Sequence, residues 1–127
     1  MTFKELVRSA ICGEMEDISA CETDGEAFPA AAAFYGKLAD EKRERLPELG
    51  RIFKEGTGFR QRRIEPSRSL EASLRARAAR ASEAASVYAA LVRQMNKPEY
   101  KEALKAFGDR ELIILGEVRA FKAGLGK

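Results

Sequence analysis

Residues 70–95, LEASLRARAARASEAASVYAALVRQM, carry the clearest structural pattern in the chain. Their apolar residues recur every three or four positions, at Leu70, Leu74, Ala81, Ala84, Tyr88, Leu91 and Met95. That spacing places them on one face of an α-helix, whereas a half-buried strand would need strict alternation. Ser67 or Ser69, just after Pro66, can act as the N-cap of this helix. The stretch therefore predicts one long helix whose apolar face packs against other helices.

Three further segments show the same period. They are residues 2–21, ending at Thr23-Asp24-Gly25; residues 29–55, with Pro29 in the first turn and Gly56 as the stop; and a last segment from Pro98 to just before Gly124. Their apolar stripes are Phe3, Val7, Ala10, Ile18 and Cys21; Ala31, Phe34, Leu38, Leu49 and Ile52; and Leu104, Phe107, Ile114, Val118 and Phe121. The first two helices, and the last two, are joined by short links, so each pair is expected to form an antiparallel hairpin. The sequence predicts an all-α four-helix bundle.

Two features interrupt this regular pattern. The link at residues 56–66 is long, polar and rich in turn residues. About 12 extended residues reach roughly 40 Å, and a helix of about 25 residues is roughly 38 Å long. The link can therefore cross the full length of a bundle between two hairpins, although a simple surface loop is the alternative. Pro47 lies inside the second helix, where it should either kink the helix or split it into two.

Length and composition limit the class of protein. At 127 residues the chain fits one domain, residues 1–127, and its 23 basic and 20 acidic side chains are too balanced to indicate nucleic acid by themselves. It contains no histidine, the commonest metal ligand and general base. Cys12 and Cys21 are too far apart along one helix for a disulfide. With two free thiols, no signal peptide and no membrane-spanning run, the expected location is cytoplasmic.

Charged residues fall on the apolar stripes near the middle of every predicted helix. They are Glu14, Lys42, Arg45, Arg77 and Glu111. Mid-helix core positions face one another in a bundle, and an unpaired charge there would cost several kcal/mol in lost solvation. The pattern predicts an internal cluster in which acidic and basic side chains nearly cancel. The alternative is that the stripes are drawn too wide and these residues lie at the surface.

Three stretches resemble the rubrerythrin branch of the ferritin-like family. Residues 10–14, AICGE, are similar to its first-helix segment with a metal-binding Glu, and residues 38–46, LADEKRERL, followed by Leu49 and by FKEG at 53–56, resemble its second-helix Glu-x-x-His segment. In the third and fourth predicted helices, the second half of the family's bundle is resembled by Ala84, Tyr88, Leu112 and Leu115. Leu46, Leu49, Gly50 and Ile52 also match Leu112, Leu115, Gly116 and Val118 at a shift of 66. The resemblance implies a ferritin-like bundle of two related hairpins joined by a long crossover.

The metal ligands that this resemblance implies are mostly missing. The first-helix Glu is present as Glu14, but the second-helix Glu-x-x-His falls on Lys42 and Arg45. The third-helix Glu falls on Ala81, and the fourth-helix pair falls on Gly108 and Glu111. Lysine and arginine repel metal ions, so the resemblance implies a degenerate di-iron site in which basic side chains replace the metals. No catalytic residue, metal or other cofactor is therefore expected.

Three functions follow, in order of preference. The first is a non-catalytic binding or interaction scaffold, which would act as a homodimer or as the partner of another protein. The second is a rubrerythrin-like oxidoreductase or iron-binding protein with an atypical carboxylate site for iron or another divalent metal, using Glu14, Glu111, Glu41 and Glu44. The third is anion or nucleic-acid binding through the arginine-rich region between Arg60 and Arg80, and especially Arg60, Arg62, Arg63 and Arg68. Nucleic acid is disfavoured because acidic residues dilute this region and Phe59 is its only aromatic residue.

Overall fold

The structure is a computed structural model that describes residues 1–58 and 64–125. Within these ranges the chain forms four α-helices and no strand: α1 (Phe3–Ala27), α2 (Ala32–Phe53), α3 (Leu70–Gln94) and α4 (Pro98–Leu125). A single 3₁₀ turn, Pro29–Ala31, precedes α2. The all-α prediction is confirmed. No helix in the described part of the chain is both long enough and apolar enough to cross a lipid bilayer.

The helix starts follow the local sequence closely. At α1, the Glu5 backbone N–H donates to Thr2 Oγ1 at 3.1 Å, and the Thr2 nitrogen lies 3.3 Å from Glu5 Oε2, which together form a capping box. At α3, the Ala72 backbone N–H donates to Ser69 Oγ at 3.0 Å, so Ser69 is the N-cap that the sequence allowed. In both helices a short polar side chain bonds a backbone donor that has no partner within the helix.

The predicted helix ends are less accurate. α1 continues through Gly25 to Ala27, and α4 continues through Gly124 to Leu125. α2 ends before Gly56, because Lys54 adopts the left-handed conformation at φ 55° and its N–H bonds Gly50 O. No described glycine has a positive φ, so none of them acts as a left-handed helix stop. α2 also runs without a break through Pro47, which rules out the predicted split into two helices.

The contacts along the chain form two compact units, which are described separately. The first unit comprises residues 1–10 together with residues 74–127, and the second comprises residues 11–73. The link between α2 and α3 lies partly outside the described residues. The single-domain organisation, the crossover and the ferritin-like bundle therefore stay predictions.

In the first unit, α3 and α4 pack closely. Tyr88 is fully buried, and its ring centroid lies 5.8 Å from that of Phe107. A methyl group added at Gly108 would lie only 3.2 Å from Tyr88 Cβ, so the glycine allows the two helices to approach. Most residues of the two predicted apolar stripes are buried: Leu74, Ala81, Ala84, Tyr88 and Leu91 on α3, and Leu104, Ile114 and Val118 on α4. Phe3, expected in the core, is 38% exposed in the first turn of α1.

In the second unit, α1 packs against α2. Its buried apolar side chains include Ile18, Cys21, Tyr35, Leu38, Leu46, Leu49 and Ile52. Cys21 is buried and Cys12 is exposed, and neither forms a disulfide within the described residues, as predicted. Four of the buried charged side chains in this unit form the candidate functional site: Glu14, Asp17, Lys42 and Arg45.

Candidate functional site: a buried charge cluster

The site is built from two residues on each of two helices. Glu14 and Asp17 lie on α1, and Lys42 and Arg45 lie on α2. Each pair is three residues apart, which places both side chains on the same face of their helix. All four residues are buried, with exposed fractions of 1%, 3%, 3% and 4% in chain order. We call these four residues the charge cluster.

Glu14 lies at the centre of the charge cluster. Its Oε1 accepts a hydrogen bond from Arg45 Nη1 at 3.1 Å, and its Oε2 lies 3.4 Å from Lys42 Nζ. The two carboxylate oxygens are therefore engaged by two different cations. Lys42 Nζ also lies 3.1 Å from Asp17 Oδ2, so the ammonium bridges two carboxylates on α1. At the rim, Arg45 Nη2 donates to Glu41 Oε2 at 3.2 Å.

The charges of the cluster sum to zero. Two carboxylates and two cations are removed from water together, and each acidic group contacts at least one basic group. An isolated ion at such a site would lose several kcal/mol of solvation energy. Opposite charges within the cluster therefore compensate one another, and Glu41 at the rim adds to the compensation of Arg45.

Asp17 is the member that the sequence analysis missed. It follows Glu14 by three residues, and this spacing was the available signal that it shares the same face of α1. Its carboxylate contacts Lys42, for which the apolar stripes offer only Glu14 and Glu111 as acidic partners.

The other two predicted members belong to the first unit. Glu111 on α4 is fully buried, and Arg77 on α3 is half-buried. The structure thus brings together Glu14, Lys42 and Arg45 from the predicted set. The alternative interpretation placed all five predicted residues at the surface, and it is wrong for the four that are buried: Glu14, Lys42, Arg45 and Glu111.

A second buried network lies near the end of α1. Asp24 is 3% exposed and accepts three hydrogen bonds: from the Ser67 N–H at 2.9 Å, from Ser67 Oγ at 2.7 Å and from Ser73 Oγ at 2.6 Å. Tyr35 OH lies 2.6 Å from Ser73 Oγ. Because the Ser73 hydroxyl donates to the carboxylate, Tyr35 is the donor to Ser73. The network fastens the segment before α3 to α1.

Three of the four carboxylates predicted as alternative metal ligands lie in the second unit, and their surroundings differ. Glu14 contacts two cations, Glu41 contacts Arg45, and Glu44 is exposed on α2. Among the residues described, no group of three or more Asp, Glu, Cys or His side chains is arranged to hold a metal ion.

The arginine-rich region is only partly described. Arg60, Arg62 and Arg63 lie outside the described residues. Arg68 is exposed just before α3. Anion binding there stays a prediction.

In comparisons with known proteins, no protein-family model, no curated protein and no solved structure matched this chain.

Proposed function

We propose that the protein is a non-catalytic, ferritin-like helical scaffold in which basic side chains occupy the place of a metal centre. The observation that carries this proposal is the engagement of both oxygens of Glu14, one by Lys42 and the other by Arg45. The resemblance to rubrerythrins places these two cations on the Glu-x-x-His of the second helix. Their side chains meet the first-helix Glu, as the ligands of a metal-binding hairpin would.

The chemistry of the donor set does not fit iron. Iron in such proteins needs several carboxylate and imidazole ligands that converge on it. Around Glu14 the nearest groups from α2 are an ammonium and a guanidinium, which donate hydrogen bonds and have no lone pair to offer while charged. A divalent ion would have to displace both cations and would leave them buried without Glu14. In this proposal the two cations supply the positive charge that a bound metal ion would supply to the buried Glu14 carboxylate.

The counterpart positions in the first unit support the same proposal. Ala81 offers no ligand atom, and Gly108 lies where an added Cβ would already crowd Tyr88. Glu111 is the one carboxylate left from the implied set in this unit. With Lys42 and Arg45 at the implied ligand positions of α2 and no histidine in the sequence, the hairpins offer few of the metal ligands of the family they resemble. We infer that the protein acts by binding, as a scaffold for a protein partner or as a homodimer.

Metal analysis of the purified protein tests this proposal. The chain would be expressed in medium supplemented with iron, manganese and zinc, and its metal content measured by mass spectrometry. We expect far less than one metal ion per chain, both in the natural sequence and in Glu14→Ala. One or two ions per chain in the natural sequence, lost in Glu14→Ala but kept in the exposed-site control Glu44→Ala, would refute the proposal.

A further inference from the structure

The second half of α4 is apolar on two opposite faces. Ile114 and Val118 are buried and form the inner face. Leu112 and Ile113, which lie on the other side of the same turns, are each 56% exposed. A helix that is apolar all round is normally covered all round. The outer face of these turns therefore lacks a covering among the described residues.

This outer face is a continuous patch and differs from the rest of the surface. We call its five exposed residues the α4 patch: Leu112, Ile113, Gly116, Ala120 and Ala123. In the described helices the other exposed large apolar side chains lie only at helix ends, at Phe3 and Leu125. Two adjacent large apolar side chains exposed in mid-helix are thus confined to α4, which indicates a contact surface.

Gly116 lies in the middle of the α4 patch. Glycine in a helix interior is destabilising relative to alanine, so it calls for a reason in the packing. At Gly108 the reason lies within the chain, because an added Cβ would crowd Tyr88. At Gly116 an added Cβ would meet no atom within 4 Å. The space that Gly116 leaves is on the outside of the chain, where it lets a second helix approach closely.

The charges beside the α4 patch suit a second copy of this chain in antiparallel orientation. Arg119 is exposed and forms no ion pair with a described residue, whereas Asp109 is exposed and pairs with Lys105 at 2.7 Å. In an antiparallel contact centred on Gly116, Arg119 and Asp109 of the second copy differ by four residues in height, about 6 Å. An arginine side chain spans that distance. A parallel contact would instead place like charges opposite each other.

We propose that the α4 patch is the contact surface of a two-fold symmetric homodimer, in which α4 packs antiparallel against α4 of the second copy. Leu112 and Ala120 are each four residues from Gly116, so the symmetry places the leucine of one copy against the alanine of the other. This inference rests on the proposed function, since it names the partner of the scaffold. A contact of about three helical turns is smaller than a standard stable interface. The dimer should therefore be weak and depend on concentration.

Sedimentation equilibrium tests the proposal over protein concentrations from about 10 μM to about 1 mM. We expect monomer at the low end and dimer at the high end, with a dissociation constant of roughly 100 μM. Leu112→Glu should raise this constant at least about tenfold, because it places two carboxylates in an apolar contact. Ala89→Glu, the same added charge at an exposed position of α3, should leave it unchanged. Circular dichroism at 222 nm checks that both variants are folded.

A charge exchange tests the antiparallel arrangement. Arg119→Asp should weaken the dimer about two- to fivefold, as expected for exposed ion pairs. Asp109→Arg/Arg119→Asp should restore it, because each copy then carries the exchanged charges. Three results would overturn the proposal: a monomer up to about 1 mM, a folded Leu112→Glu that dimerises like its control, or a double variant no better than Arg119→Asp.

These outcomes are separate from the metal analysis. A metal-free monomer would overturn the homodimer alone and would point to a partner other than a second copy. Bound metal would overturn the proposed function whatever the oligomeric state.

Discussion

Replacing Glu14 by glutamine removes one charge from the cluster and keeps the size of the side chain. Among the four cluster residues the substitution leaves the cations of Lys42 and Arg45 and the carboxylate of Asp17, so these four positions carry a net charge of +1. Breaking a buried ion pair from one side costs about 3–5 kcal/mol. Lys42 keeps Asp17 at 3.1 Å, and Arg45 keeps the part-exposed Glu41 at 3.2 Å. We therefore expect the low end of that range, about 3 kcal/mol.

Urea unfolding followed by circular dichroism at 222 nm measures this loss. The matched control is Glu44→Gln, an exposed position on the same hairpin, which should change stability by less than about 0.5 kcal/mol. The double variant Glu14→Gln/Arg45→Met keeps the Lys42–Asp17 pair and restores a neutral cluster, so it should recover part of the loss and the two changes should not be additive. The reasoning is wrong if Glu14→Gln resembles its control, or if the double variant loses the full sum of the two single changes.

Four further outcomes are expected. Lys42→Glu/Arg45→His would give α2 a Glu-x-x-His facing Glu14, and added zinc should raise the melting temperature of this variant by several degrees while leaving the natural chain unchanged. Asp24→Asn should cost about 2–3 kcal/mol in urea unfolding, because the charge that accepts three hydrogen bonds is lost, whereas exposed Glu26→Gln should cost almost nothing. Pro47→Ala should stabilise the chain by about 1–3 kcal/mol, because the alanine N–H can donate a helical hydrogen bond to the Arg43 carbonyl. An unchanged urea midpoint would contradict this. Lys54→Gly should add about 1 kcal/mol by relieving the left-handed conformation, while Lys37→Gly within α2 should subtract about as much.

The helices could be predicted because their signals are local. A repeat of three to four residues and a serine before residue 70 are enough to place α3 and its cap. The helix ends were harder, because glycine permits a left-handed turn without requiring one. Gly25 remains helical, and α2 ends at a left-handed Lys54, two residues before the predicted stop at Gly56.

The candidate site was predicted in part for the same reason. Lys42 and Arg45 interrupt an apolar stripe, so their burial could be inferred from their own helix. Asp24 could not be recognised in this way, because its partners Ser67 and Ser73 lie 43 and 49 residues further along the chain. Which distant polar groups meet is decided by the packing of helices, and a single sequence contains no direct signal of it.

The mutual dependence within the charge cluster also limits how this chain can evolve. Any single exchange among its four buried charges passes through an intermediate with an uncompensated ion, whereas paired exchanges do not. Descendants of this sequence should therefore keep all four residues or change them in matched pairs. A lineage that returned to metal binding would have to lose both cations and gain metal ligands on α2. Only after these changes could selection act on metal binding.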